Sequence, residues 1–460
     1  MGKKPLNISG VLPRLAMSAE LGPPRSECGV GALMVWAGKL WAITYVSHKA
    51  NSGVGTGLYV IDEDLTMTRH PASQVGTYTN RFVHWETNRM IIGPHIVDAH
   101  GDVRTIESLL DVRLCGTMQH LTDPANKVYM LGMEGEFFEL DVNTLEATFL
   151  FDLVAELGVP SHEYAHFKAG YTNYGRVVVA NNSYDERDFS GVENAGRLAE
   201  WDGKTWTILE RAPFVEVTGR GTFSGTIFAT GWDKASAILM VYTDQDKRWR
   251  KYRLPKASHT FDHMWQTEWP RIREVEHERF LMDCHGMFYE LSPWAYDNHV
   301  WGIRPISTHL WVMSDFCSYR GLLVLGSDNA SAHHGANHLA GEPQSGLWLG
   351  KTDDLWQFGK PSGWGGPWWE AQVEPDVPSD PYLMTGFDKK VLHLTHAADE
   401  TVRFRVEVDF LGNGSWRTYG HFDVPAGGYE HHEFLNGYSA HWLRVTANRR
   451  CVATAYLTYT

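Results

Sequence analysis

The chain has 460 residues, more than one hydrophobic core usually supports, so it holds two or three domains or one large repetitive architecture. Apolar residues make up 43% and charged residues 21%, a globular balance that excludes a disordered chain. Forty-one basic against 55 acidic residues give a net charge of −14, which argues against a general nucleic-acid footprint but leaves room for a small basic pocket. The five cysteines (Cys28, Cys115, Cys284, Cys317, Cys451) are scattered and form neither a CxxC pair nor a dense disulfide framework. No apolar run approaches the roughly 18 residues of a membrane span. The opening MGKKPLNISG lacks an apolar signal core.

Along the chain one pattern recurs: a Gly, Asn or charged turn, a short apolar run, a second turn, and an alternating strand. Its members are GKLWAITY from Gly38, NRMIIG from Asn88, NKVYMLG from Asn126, GRVVVAN from Gly175, SAILMVY from Ser236, ERFLMDC from Glu278 and GLLVLGS from Gly321. Successive intervals of 50, 38, 49, 61, 42 and 43 residues are the size of propeller blades. Partner runs such as GLYVIDED, GEFFELDV, GRLAEWDG, GMFYELSP and SGLWLGKT each put a glycine turn before a β-rich stretch. The pattern predicts an all-β fold, a seven-bladed β-propeller over residues 1–375; two β-sandwiches with evenly spaced strands are the alternative. Helical periodicity is confined to TIESLLDVRL and FDLVAELGV. Beyond the Pro-rich QVEPDVPSDPY the rhythm changes to a run of hairpins with NG and GG turns, predicting a small C-terminal β-module over 376–460, whose last strands could instead close the final blade.

Nineteen Trp and 19 Tyr among 44 Gly fit many short strands and aromatic-lined surfaces of the kind that handle sugars. The 23 histidines cluster at strand ends and turns: His48, His95, His100, His120, His259, His263, His285, and the group His333, His334 and His338. Strand ends of a propeller open onto its faces, where ligands bind. For any one of them a hydrogen-bonded turn histidine is the commoner role.

The segments HLTDPANKVYMLG, EWDGKTW, FVEVTG, ATGWDKAS, LPKASHTFDHMWQTEWPRIR, CHGMFYEL and GIRPIS together resemble the seven-bladed propeller enzymes that act where L-rhamnose is linked to a uronic acid. These are the ulvan lyases, the rhamnose–glucuronate lyases of arabinogalactan side chains, and a related glycoside hydrolase family. The resemblance implies an acidic rhamnose- and uronate-containing polysaccharide as partner and a secreted or periplasmic setting. It further implies β-elimination: removal of the uronate C5 proton by a base, with a donor or cation balancing the carboxylate. His95 and His120 match the histidine pair, Tyr171 the tyrosine and Arg187 the arginine, with His100 and Tyr174 as alternates. Asn80, Arg81 and His259 are the substrate-binding candidates.

Asp262, His263, Cys284 and His285 offer the mixed N, S and O set that Zn²⁺ takes, and similar ulvan lyases carry a zinc beneath the active face. Adjacent Cys284 and His285 would point to opposite faces of a strand, so a buried cysteine with backbone-bonded histidines competes with that reading. ITYVSHK matches the ITY-then-His motif of the related hydrolases, making His48 the residue for release of L-rhamnose by hydrolysis. A third possibility is a non-catalytic glycan-binding propeller, in which exposed aromatics such as those of WGGPWWE from Trp364 stack on sugar rings.

Overall fold

The computed structural model describes residues 10–11, 28–46, 57–160, 162, 165–183, 196–220, 225–257, 269–295, 299–300, 302–309, 311–327 and 346–460. The chain divides into two compact units, residues 1–183, 197–210 and 311–354 in the first and residues 184–196, 211–310 and 355–460 in the second. Both are built almost wholly of antiparallel strands, as the alternation of β-branched and aromatic residues predicts.

The first unit holds five four-stranded sheets. Four are sequential meanders, starting at Cys28–Trp36, Arg81–His84, Leu114–Gln119 and Phe167–Asn173. The fifth runs Met313–Tyr319, Leu322–Ser327 and Gly346–Gly350 and takes its fourth strand from the N-terminus, where Gly10 of Gly10–Val11 faces Leu349. The strand that completes this last sheet is therefore N-terminal, not C-terminal. The packing between sheets is apolar: Trp41, Ile43, Met90, Ile92, Val128 and Met130 belong to one buried cluster. Each such side chain contributes about 1.5–3 kcal/mol on leaving water.

One polar contact crosses three of these sheets. The buried Asp315 accepts the Leu33 amide at 2.7 Å, and the Arg81 guanidinium lies 3.4 Å from the same oxygen while also donating to the Leu33 carbonyl. Two residues before Leu33, at a bulge, a Cβ on Gly31 would stand 1.9 Å from the Tyr78 carbonyl oxygen, so only glycine lets the strands approach.

The second unit contains two meanders, one starting at Phe214–Gly219 and one at Arg271–Glu276. The outer strand of the first, Arg248–Leu254, pairs in parallel with Tyr382–Leu383 through Arg253 and Tyr382. The sheet then continues through Trp442–Ala447, Val402–Asp409 and Arg417–Val424 to eight strands. A separate four-stranded sheet orders Gly363–Val373, Cys451–Tyr459, Lys390–His396 and Tyr429–Glu433. Its first strand starts before residue 375, and of the predicted run of hairpins only Val402–Asp409 with Arg417–Val424 is one; the neighbouring turns pass from one sheet to the other. Leu392, Leu394, Ala455 and Leu457 share a buried cluster with Phe404, Val406, Leu443 and Val445.

All seven apolar runs are strands. Six are the second strand of their sheet, whereas the Ser236 run is the third, Ala237–Thr243. Of the two helical stretches, one forms the 3₁₀ turn Glu107–Leu109 and the other the α-turn Leu153–Glu156, capped by Asp152 accepting the Val154 amide at 3.0 Å. No helix among the described residues is long and apolar enough to cross a membrane.

Asp315→Ala leaves Arg81 without its buried counter-charge and the Leu33 amide without its acceptor. The expected cost is about 3–5 kcal/mol, read as a lowered denaturation midpoint; an unchanged midpoint would mean that the contact is dispensable.

Candidate functional site

The three described acid–base candidates, His95, His120 and Tyr171, belong to three different sheets. His95 opens the strand His95–Val97 and is fully buried; its Nδ1 bonds the Thr105 hydroxyl at 3.0 Å and its Nε2 has no partner. Burial, reinforced by nearby His70, pulls its pKa down to about 4, so the ring is neutral at physiological pH. His120 follows the strand Leu114–Gln119. Its Nδ1 accepts the amides of Thr122 (3.2 Å) and Asp123 (2.9 Å), which makes its Nε2 the donor to Glu139 at 2.8 Å. Burial favours the protonated form of Glu139, but bonds from Lys127 (2.5 Å) and His120 outweigh it and hold the carboxyl below its usual range. Tyr171 is half-buried on Phe167–Asn173, and burial, then Tyr174, pushes its hydroxyl above the ordinary tyrosine range.

The remaining candidates divide between buried scaffold and open surface. Asn80 is buried, its Nδ2 donating to the Gly93 carbonyl (3.0 Å) and the Thr117 hydroxyl (2.9 Å). Arg81 serves Asp315. His100 sits on an exposed turn organised by Asp98, whose carboxylate takes the His100 and Asp102 amides at 2.8 and 3.0 Å. Tyr174 occupies the left-handed turn after Asn173, at φ 51°. His48, Arg187, His259, Asp262, His263, His333, His334 and His338 lie outside the described residues.

The two described members of the zinc set are Cys284 and His285. Cys284 ends Arg279–Cys284, and burial raises its thiol pKa above the ordinary range. His285 follows in a left-handed turn at φ 51°, fully buried, edge-on to Trp232 at 5.0 Å, with neither ring nitrogen hydrogen-bonded. Burial, then Lys256, keeps it neutral. Among the described residues no three His, Cys, Asp or Glu side chains assemble into a metal site.

The β-eliminating lyase implied by the resemblance is corrected on this geometry. A general base needs a ring nitrogen free to reach a substrate proton. His120 commits both nitrogens to the protein, and the open nitrogen of His95 is sealed from solvent.

What the fold does open to solvent is a cleft of about 420 Å³ in the second unit. Its floor is Arg253, buried between Asp233 (2.8 Å) and Asp380 (3.0 Å), with Ser236 taking a further bond at 2.9 Å. Burial opposes charge on both partners, yet the pairing holds Asp233 below and Arg253 above its ordinary pKa. The Asp233 carboxylate also receives the Ala235 and Ser236 amides, fixing the turn that forms one wall. The opposite wall is Gly363–Val373, where the pleat sends consecutive tryptophans to opposite faces and register shifts on both sides of Trp368, with a left-handed Glu370 (φ 46°), mark bulges. Trp368 is buried, while Trp369 is 44% exposed at the rim beside Gln372. WGGPWWE drew attention in the sequence; Arg253 and its two aspartates did not, because nothing local joins residues 127 positions apart.

No protein-family profile and no curated protein matches the chain. Similar solved structures are β-propellers of the WD40 type: U3-55K (9% identity, 73% of this chain and 99% of that one, TM-score 0.40), the RRP9 WD40 repeats (9%, 74% and 99%, 0.40), and the Cps50 (Swd1) propeller domain of Myceliophteria thermophila (8%, 65% and 94%, 0.41).

The buried, neutral His95 makes stability pH-dependent. Its folded pKa is depressed, so the stabilisation is complete above about pH 6.5 and is lost as the pH falls toward 4. From pH 7 to pH 5 the wild type should lose about 2 kcal/mol more than His95→Asn, which keeps a bonding group near Thr105. Denaturation at both pH values checks this; parallel losses would place the acid sensitivity elsewhere.

Proposed function

We propose that the chain is a non-catalytic seven-bladed β-propeller that binds a glycan. Seven four-stranded meanders, the last completed by the N-terminal strand, support ring closure, since such a strand joins the two ends of a propeller. Residues 1–375 then form the propeller, and the sheet beginning at Gly363 couples it to the module over 376–460. The observation that carries the binding reading is Trp369, an exposed indole at the rim of a cleft whose lining sets Lys234 and Arg253 against Asp233 and Asp380. An aromatic face beside fixed polar groups suits a sugar ring, with its apolar C–H face and peripheral hydroxyls. A glycan ligand accords with a secreted or periplasmic setting.

Affinity electrophoresis and calorimetry against ulvan, arabinogalactan and dextran test this. At least one polysaccharide should bind, and Trp369→Ala should weaken it roughly tenfold, the equivalent of about 1.4 kcal/mol. Neither an unsaturated-uronate chromophore nor free rhamnose should appear. Failure to bind any of them, or turnover of one, would overturn the reading.

Zinc belongs to the same proposal. Buried His285, with neither ring nitrogen hydrogen-bonded, has one lone-pair nitrogen of the type zinc takes, and a metal there would brace the turn rather than react. Metal analysis should find about one zinc per chain, and His285→Ala should release it and lower the melting temperature. A metal-free, fully stable protein would leave His285 an ordinary buried histidine.

A further inference from the structure

The four-stranded sheet at the C-terminal end of the chain turns one face into the buried core and the other outward. Strand register decides what the outer face carries. His431 is opposite His393, and His393 is opposite Tyr456. The Tyr456 ring meets Trp369 edge-on at 5.2 Å. Three flat side chains, His431, His393 and Tyr456, thus run straight across three neighbouring strands, and Trp369, in the bulged fourth strand, extends the row diagonally from Tyr456. Their chain neighbours Leu392, Leu394, Ala455 and Leu457 point inward and are at most 1% exposed.

The row is held in place. His393 bonds the Tyr429 hydroxyl through Nδ1 at 2.7 Å and the Thr458 hydroxyl through Nε2 at 3.2 Å. Tyr429 in turn lies nearly parallel to His431, with centroids 5.8 Å apart and planes 13° apart. Tyr429 is 58% exposed and Trp369 44%, and hydroxyls of Thr395, Thr454 and Thr458 border the row. Rings with locked orientation lose little freedom when they bind.

We infer that this row is a platform for an extended, uncharged polysaccharide chain, lying across the strands and entering the Trp369 cleft at one end. Trp369 is at once the last ring of the row and the rim of the cleft, so the two surfaces are continuous. The chemistry combines flat rings, which accept the C–H faces of pyranoses, with threonine hydroxyls and the His431 imidazole, which bond sugar hydroxyls. Charge decides the ligand class. The outer face carries Glu433 at one side and Glu370 at the other, both exposed, and no Lys or Arg lies among the row residues. A polyanion would meet repulsion and find no counter-charge, whereas an uncharged sugar chain meets neither obstacle. This assignment rests on the glycan-binding reading and extends it from a single cleft to a chain-length site.

The test uses the full chain with neutral gluco-, xylo-, manno- and galacto-oligosaccharides from mono- to hexasaccharide, and an alginate ladder as the charged arm. For at least one neutral series, affinity should climb with each added sugar. Trp369→Ala should weaken all lengths roughly tenfold, whereas Tyr456→Ala and His431→Ala should each cost roughly fivefold for the longest sugars and nothing for the shortest. These side chains are outside the core, so circular dichroism and melting temperature should be unchanged. Length-independent affinity with silent Tyr456→Ala would overturn the platform while leaving the Trp369 cleft as a glycan site. Tighter binding of alginate than of every neutral series would overturn the charge assignment. If no sugar binds and sedimentation shows a dimer that Trp369→Ala dissolves, the face is a contact between copies and both readings fall.

Discussion

The side-chain period of two along a strand is the constraint from which the C-terminal surface follows. In Lys390–His396 and Cys451–Tyr459 every second side chain is driven into the core, at about 25 cal/mol per Å² of apolar surface buried. Once that set is fixed, the complementary set must face out, and a one-residue slip would expose leucines and bury histidines. The register that packs Leu392 against the core is therefore the same register that aligns His393 with Tyr456 and His431. The outward set is thus placed by the same packing that forms the core, and the His393 bonds to Tyr429 and Thr458 then fix ring orientation.

Arg253 plays the corresponding part for the cleft. A guanidinium taken out of water is costly unless its donors are met, and here two carboxylates and a serine hydroxyl meet them. Asp233 belongs to a turn of the second unit's first meander and Asp380 to the segment leading into Tyr382–Leu383. The ion pairs thus tie the Asp233 turn to the segment before Tyr382, at the point where that meander's sheet continues into the module. The two aspartates exceed Arg253 by one negative charge, and Lys234 in the lining brings the sum to zero, so the cleft offers oriented polar edges without a strong net field.

Much of the architecture was legible in the sequence because apolar runs and glycine turns are local signals. Six runs mark the second strand of their sheets. The seventh, SAILMVY, is more apolar than the true second strand IFATGW and drew the mark one strand too late. Moving it back to Ile227 removes the unevenness of the long interval before it and the short one after. The C-terminal turns were legible, but not their partners: AGG joins strands of two different sheets, and local turn chemistry does not say which strands will pair.

The site was less legible, for a related reason. Residue type announces what a side chain can do, whereas partners decide what it does. His120 reads as a proton-transfer residue until the amides of Thr122 and Asp123, two and three positions along, claim one nitrogen and Glu139 the other. His95 reads the same way until burial removes the water that would carry its proton. His393 and His431 drew no attention because their strands alternate without a motif, yet pairing places them in a row with Tyr456. His120, past a strand end, is bent back onto backbone amides and His95 and His285 are sealed by burial, whereas His393 and His431 in mid-strand lie on the outward face. In a sheet protein the outward half of a regular strand is then as strong a place to look for binding residues as the loops, because the scaffold that orients them has already been stabilised by the core behind.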